Sequence, residues 1–532
     1  MASLPHHRGS GGYGYGFYLL LFLVAILSQP TWSQSTPQDP DYTCAADRPC
    51  AVGCCGKFGI CGMGPDFCAP ENCVNSCDAK SECDPAGWGP QYAKSEGCPL
   101  NVCCSKFGFC GTSTEFCGNE VIQNPSCPGG TSASKRTVGY YESWAGGRPC
   151  DAVEPETIHF AAYTHINFAF ASVDPTTFTV VPSDPGDLDL YSRLTALKAY
   201  APGLQVWLSI GGWTMNDPDQ PTATTFSDVA GSPDAQAAFT NSLIRIMSTY
   251  GFDGVDIDWE YPVAPERSGR PEDYANYPNW LTNLRGAFAA AGHNYGLSIT
   301  LPSSFWYLQN FDIVKLEKVV DWFNMMEYDL HGTWDSTDVW IGAFVNAHTN
   351  LTEIDQSLKL MWRNNIDPSK VVMGLGFYGR SFALSDPSCT APGCPFSGAA
   401  PAGPCTGSPG TLSFAEIETL IGQGATVTLD TEAAVKIVTW DGNWVSYDDA
   451  TTLQAKIDYA NDNCLGGTMV WAASLDDSPQ GFGLPVDRLW IDELPGGFVR
   501  ARQCPNCPGR HPGMFPEREK DTLLSEPARL RS

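Results

Sequence analysis

Positive charge is what this chain has least of. Thirty-one Lys and Arg stand against 59 Asp and Glu, a formal net charge of −28 over 532 residues. So acidic a surface repels phosphate backbones and anionic headgroups, which excludes nucleic acid and anionic membranes as partners. Histidine is scarce as well. There are eight in all and none between residues 44 and 127, where cysteine crowds, so zinc is a poor reading of the cysteine pairs there. The one long apolar run is residues 17–27, preceded by Arg8 and followed by the small residues Thr31 and Ser33. It is short for a spanning helix, so the expectation is a signal peptide over 1–33, removed before Gln34. No other segment is long and apolar enough to cross a bilayer. The last residues carry no hydrophobic tail of the kind that precedes a glycolipid anchor.

Other features are plentiful. Apolar residues make up 43% of a chain long enough for several domains. Twenty-two cysteines point to an oxidising compartment, hence a secreted, extracellular protein. Residues 54–68 (CCGKFGICGMGPDFC) and 103–117 (CCSKFGFCGTSTEFC) are copies of one another. Repeats this small bury too little apolar surface to fold unaided, so disulfides must staple them. Polar linkers follow residue 33 and span 128–134. From residue 135, strand-like apolar runs alternate with helical segments such as 232–250, with Ser232 as N-cap and Pro233 first in the helix, and 278–291. Alternation of this kind implies βα units around a parallel sheet, and eight units suggest a (β/α)8 TIM barrel over 135–495. Residues 496–532 are polar, Pro-rich and aperiodic and read as a disordered tail. Its Cys504 and Cys507 supply too few ligands for a metal, so a local disulfide or pairing elsewhere in the chain is expected.

The chemistry is concentrated in residues 254–261 (GVDIDWEY). With Asp253 they form an Asp-x-x-Asp-x-Asp-x-Glu array. In a strand, residues two apart share a face, so Asp256, Asp258 and Glu260 line one side and Val255, Ile257 and Trp259 the other. Stacked carboxylates on a buried strand cost folding energy unless they share protons or hydrogen bonds, and chemistry that needs shifted pKa values is the usual reason to tolerate it. No Gly-rich loop follows that would make a calcium site.

This array resembles the signature of family 18 glycoside hydrolases, the chitinase family. Other segments match in order: 138–141 (VGYY) as the first strand, 165–170 (HINFAF) the second and 208–213 (LSIGGW) the third. Residues 326–329 (MEYD) stand as the sixth, 374–380 (GLGFYGR) the seventh and 466–471 (GGTMVW) the eighth. Within the family the chain looks closest to fungal chitinases similar to the killer-toxin α subunit. The resemblance implies an endo-acting, retaining hydrolase of β-1,4-linked N-acetylglucosamine, with no metal or cofactor. Glu260 is the implied acid. Asp256 and Asp258 would share a proton, with Asp258 steering Glu260 and the substrate's acetamido group, and Tyr328 would hold the acetamido oxygen. Tyr141, Gly211, Gly212, Trp213, Tyr261, Met326, Asp329 and Trp471 are expected to line the cleft. Trp144, Trp306 and Trp334 offer faces for further sugars. Glu327 points away and takes no catalytic role. Residues 383–441, with Cys389, Cys394 and Cys405, resemble the family's α+β insertion. Asn350-Leu351-Thr352 is a glycosylation sequon.

The cysteine-rich copies resemble hevein-type chitin-binding modules, over 41–78 and 80–128. That resemblance implies the pairs Cys44–Cys55, Cys50–Cys61, Cys54–Cys68, Cys73–Cys77, Cys83–Cys104, Cys98–Cys110 and Cys103–Cys117. Cys127 is left to find an outside partner such as Cys150. Ser105, Phe107, Phe109 and Phe116 would hold sugar in the second copy. The first has Gly56, Phe58, Ile60 and Phe67 there, lacking the serine and one aromatic. The expected partner is chitin, and the expected state a monomer. A chitin lectin on the same fold, or an enzyme cutting the chitobiose core of N-glycans, are the alternatives. Lectins of the family generally lose the acid that is present here, and the modules favour polymeric chitin.

Overall fold

The structure, a computed structural model, describes residues 42–338 and 340–476. The expected signal peptide, the tail and Cys504 and Cys507 lie outside the described residues. The described chain divides into two compact units, one of residues 42–98 with 103–117, the other of 99–102 with 118–476. No helix among the described residues is long and apolar enough to cross a membrane.

In the first unit disulfides take the place of an apolar core. The pairs are Cys44–Cys55, Cys50–Cys61, Cys54–Cys68, Cys73–Cys77, Cys83–Cys104, Cys98–Cys110 and Cys103–Cys117. Each copy contains a short antiparallel pair, with Cys54 opposite Gly62 in one and Cys103 opposite Gly111 in the other. Phe67 and Phe116 lie over these glycines: a Cβ on Gly62 or Gly111 would fall 2.6 or 2.7 Å from the ring. Trp88, from the segment joining the copies, packs against Gly64 of the first and Gly108 of the second, where a Cβ would meet its ring at 2.7 and 3.1 Å. Asp84 sets the Trp88 turn by accepting the N–H groups of Ala86, Trp88 and Gly89.

The second unit is a closed barrel. Its strands are β1 (Thr137–Glu142), β2 (His165–Val173), β3 (Gln205–Gly211), β4 (Gly254–Asp258), β5 (Gly296–Pro302), β6 (Trp322–Met326), β7 (Val371–Gly376) and β8 (Gly467–Trp471). Each is parallel to its neighbours, and β1 pairs with both β2 and β8 to close the ring. The N-terminal end is filled by Trp207, which lies so close over Gly254 and Gly296 that a Cβ would fall 2.5 or 1.9 Å from its ring. Trp322 packs 4.3 Å from Trp207, and His165 meets both edge-on. Burial there, then the charge of Arg136, whose guanidinium lies 4.3 Å from the Trp322 ring, lowers the His165 pKa to about 4, so the imidazole is neutral.

Several boundaries differ from expectation. Pro233–Tyr250 is a helix capped by Ser232, whose hydroxyl accepts the Ala235 N–H. The next helix is Asp273–Ala290, with Pro278 inside rather than at its start. A proline ring suits helical φ, and the helix tolerates the loss of a ladder bond. The expected sixth strand, 326–329, begins where β6 ends, because Asp329 turns the chain with φ of 57°. The expected seventh strand, 374–380, is two strands. β7 stops at Gly376, and Tyr378–Leu384 starts a separate antiparallel sheet. That sheet pairs Tyr378–Leu384 with Asn443–Tyr447, so the insertion runs from 378 to 447 rather than 383–441. A helix, Phe414–Gly422, packs Phe414 and Ile417 on one sheet face against Val438, Val445 and Tyr447. Cys127 pairs with Cys464, not with Cys150. Cys150 bonds Cys405 of the insertion, and Cys389 bonds Cys394. Folding brings residue 127, ahead of β1, next to residue 464, ahead of β8, because those strands are neighbours.

Candidate active site

β4 carries the carboxylates toward the barrel mouth. Exposure rises from 0% at Asp256 through 3% at Asp258 to 8% at Glu260. The strand ends at Asp258, so Glu260 lies past the barrel wall. Trp259 faces the other way, against Phe226, Tyr277 and Trp280. Asp253, at the entrance of β4, pairs with Lys198 at 2.9 Å and stands apart from this group.

Register supplies the partners. Asp256 is flanked by Ser209 of β3 and Ser298 of β5. It accepts from Ser209 (2.8 Å), Ser298 (2.6 Å), Tyr140 (2.7 Å) and Asn324 (3.1 Å). Burial raises its pKa, and these four donors pull it back. Asp258 accepts from the Thr300 hydroxyl at 2.5 Å. Burial, then the charges of Glu260 and Asp256, push Asp258 well above the carboxylate range. Asp256 holds four donors and Asp258 one, so of the two Asp256 is the better stabilised as a carboxylate and Asp258 the better site for a shared proton.

Glu260 sits between opposing influences. Burial raises it, the Arg267 charge and the Tyr261 hydroxyl lower it, and Asp329 and Asp217 raise it, leaving its pKa at about 7. Arg267 was not expected from the sequence. It is 4% exposed, donates to the Glu260 carbonyl at 2.9 Å and pairs with Asp217 at 2.6 Å. Its guanidinium also lies 3.6 Å from the Trp213 ring. Tyr261 stacks on Tyr307 at 4.2 Å.

Beyond β6, Tyr328 points its hydroxyl at the Met469 sulfur, 3.7 Å away. Burial, then Asp258 and Glu260, push its pKa well up. Asp329 accepts two bonds from Arg380 (2.7 and 2.5 Å) and one from Tyr378 (2.5 Å). Burial alone would raise Asp329, but Arg380 and His348 outweigh it and hold the carboxyl below its ordinary range. Tyr378, Arg380 and His348 were also missed. The first two lie in the segment read as barrel strand, where the chain has already left the barrel. Met326 is half-buried, its carbonyl taken by Ser303. Glu327 lies fully buried on the outer side, 3.5 Å from Ser357, and burial raises it well above its ordinary value.

Trp471 ends β8, stacked on Phe170 at 5.6 Å and 5.5 Å from Tyr140. Gly211 and Gly212 have φ of 119° and 83°. A Cβ on Gly211 would fall 2.0 Å from the Asp258 carbonyl oxygen, so only glycine lets β3 press on the acid strand. Tyr141 is placed otherwise than expected. It is fully buried, and its hydroxyl goes to the Val153 carbonyl at 3.1 Å. Alternation along β1 gives the inward position to Tyr140 instead. Trp144, Trp306 and Trp334 are 50%, 65% and 45% exposed. Asn350 caps the helix Leu351–Arg363, and its amide nitrogen, the atom a glycan would occupy, donates to Glu353 at 3.0 Å.

In the first unit Phe58 and Phe107 are 84% and 61% exposed. Phe109, Phe116 and Phe67 are half-buried. The Ser105 hydroxyl oxygen accepts the Phe109 N–H at 3.2 Å.

Comparisons with known proteins agree with this arrangement. The family model Glycosyl hydrolases family 18 matches residues 136–476, and Chitin recognition protein matches 88–127. Secreted chitinase LysM12 of Penicillium expansum is 30% identical over 458 residues, 82% of this chain and 28% of its own. Killer toxin subunits alpha/beta of Kluyveromyces lactis is 29% identical over 425 residues, 79% of this chain and 33% of its own. The chain spans about a third or less of the length of these curated relatives. Catalytic domain 2 of the Ostrinia furnacalis group II chitinase superposes with a TM-score of 0.57 at 30% identity, over 64% of this chain and 90% of that one. With the family match running the length of the described barrel, the chain belongs to family 18 of the glycosyl hydrolases.

Proposed function

We propose that the protein is a secreted, endo-acting chitinase that cleaves β-1,4-linked N-acetylglucosamine polymers by substrate-assisted, retaining catalysis. One observation carries the reading. Three carboxylates of graded depth stand in line: Asp256 with four donors, Asp258 with one and pushed well above the carboxylate range, and Glu260 poised at about 7 by the opening. Glu260 delivers its proton to the glycosidic oxygen. The acetamido carbonyl of the substrate attacks C1 in place of a second carboxylate, giving an oxazolinium ion. As its positive charge develops, the proton shared by the two aspartates shifts to Asp256, so that Asp258, now a carboxylate, offsets that charge, and Tyr328 holds the acetamido oxygen under C1. Glu260, now a carboxylate, activates water, and the anomeric configuration is kept. Trp471 floors the subsite. No step requires a metal or cofactor. The two cysteine-stapled copies hold the enzyme on insoluble chitin, with Phe107 and Phe116 under the sugar rings and Ser105 on the acetamido group.

The test uses chitin oligosaccharides of defined acetylation, with product lengths and anomers followed in time. Retained β-anomers, internal cuts and no cleavage beside a deacetylated residue in the reacting subsite are expected. Efficient cleavage with glucosamine there, or a glycosyl ester trapped on a carboxylate, overturns the mechanism.

A further inference from the structure

We propose that His331 is a positioning residue: clamped between Asp335 and Glu353, it fixes the Trp334 ring beside the Arg380–Asp329 pair as a stacking surface for a further sugar of the chain. The inference rests on the chitinase reading above. His331 lies two residues past Asp329, in the segment leaving β6. Its Nδ1 is 2.7 Å from Oδ2 of Asp335 and its Nε2 is 3.0 Å from Oε2 of Glu353. A carboxylate at each nitrogen requires both to donate, so the ring is an imidazolium. Burial alone would lower its pKa, but the two carboxylates outweigh burial and lift it to about 9.

The carboxylates belong to different elements. Asp335 is 2% exposed and sits in the turn Thr333–Thr337, next to Trp334. Glu353 is in the first turn of Leu351–Arg363, its other oxygen held by Asn350 at 3.0 Å. His331 thus rivets the Trp334 turn to a barrel helix. Trp334 lies flat over Gly332, where a Cβ would fall 2.2 Å from the ring, and Arg380 is 5.0 Å from the ring centre. Arg380 is also bidentate to Asp329, the residue after Tyr328, which puts Trp334 one side chain away from the segment that carries Tyr328. Trp334 is 45% exposed, so part of this flat apolar ring is available to a pyranose. The other charged groups around the segment are Asp329, Arg380 and His348, which engage one another, and Asp338, which holds the Trp340 N–H.

Loss of the His331 proton leaves one carboxylate without its donor, so the turn loosens as pH rises through about 9. Steady-state kinetics of the full chain on the N-acetylglucosamine hexamer, from pH 6 to 10, tests this. In the wild type KM rises about three- to tenfold across pH 9, the worth of one aromatic contact, while the alkaline limb of kcat stays with Glu260 near 7. His331→Gln shows the raised KM at every pH, without the step and with the kcat limb unmoved. Trp334→Ala does the same, and the double variant adds nothing to either single one. A merely structural histidine would lower the melting temperature without that non-additivity. A flat wild-type KM, or additive effects of the two substitutions, overturns the inference alone. No hydrolysis of the hexamer by wild type overturns the chitinase reading and this inference with it.

Discussion

Tyr140 donates its hydroxyl to Oδ2 of Asp256 at 2.7 Å, reaching from β1 across the barrel interior to β4. This bond helps decide which of two neighbouring aspartates keeps the charge. Tyr140→Phe removes one donor of four, so the proton drifts toward Asp256 and away from Asp258. A hydrogen bond to a charged group is worth about 1.5–3 kcal/mol, so kcat on soluble oligosaccharides is expected to fall roughly ten- to hundredfold. Circular dichroism should show the fold intact.

Glu260→Gln keeps shape and hydrogen bonding but has no proton to give. Its kcat is expected to fall about 10²- to 10⁴-fold, the usual weight of general acid catalysis. Binding to chitin should survive, which single-turnover kinetics and a sedimentation assay check together. Near-wild-type turnover would remove Glu260 from its role.

The pH dependence has a definite sign. Glu260 must be protonated to act as acid, so kcat falls as pH rises past about 7. The Arg267 charge lowers that pKa, so Arg267→Met should move the alkaline limb upward. Stability follows the same proton. The folded pKa lies above the ordinary 4.5, so the native state binds the proton more tightly and stability declines as pH climbs from 4.5 toward about 7. The melting temperature of Glu260→Gln should therefore exceed that of the wild type by more at pH 8 than at pH 4. An equal difference at both would count against a buried, raised Glu260.

For the small modules, Ser105→Ala with Phe107→Ala should weaken binding to insoluble chitin several-fold, about one hydrogen bond and one aromatic contact. Phe58→Ala should matter less, because its copy has Gly56 where the other has Ser105. Depletion assays on chitin particles distinguish the two. Equal losses would reverse that ranking.

The acid array was legible because a strand repeats every two residues, and Asp256, Asp258 and Glu260 keep that period between large apolar neighbours. The same rule did not choose between Tyr140 and Tyr141, since both are aromatic and only the phase of β1 decides which faces inward. Arg267 was hidden because it belongs to a loop, and its approach to the Glu260 carbonyl depends on how that loop folds back over Trp213. Tyr378 and Arg380 continue the apolar run of β7, so nothing local marks the point where the chain leaves the barrel. The pairings inside the modules follow from a known framework. Cys127–Cys464 and Cys150–Cys405 span 337 and 255 residues, and no spacing rule reaches that far.

Cys127 and Cys464 give the barrel a different topology from the open chain that made it. Everything from residue 127 to residue 464, which takes in the first seven strands and the whole insertion, becomes a covalent ring just before β8 completes the hydrogen-bonded one. On chain-entropy grounds a closure of this size restricts the unfolded ensemble by on the order of 5 kcal/mol. A single proteolytic nick inside the ring would open it into a linear chain without releasing a fragment. That amounts to tolerance of damage: the first cut leaves both halves of the barrel tied together and the acid strand in place.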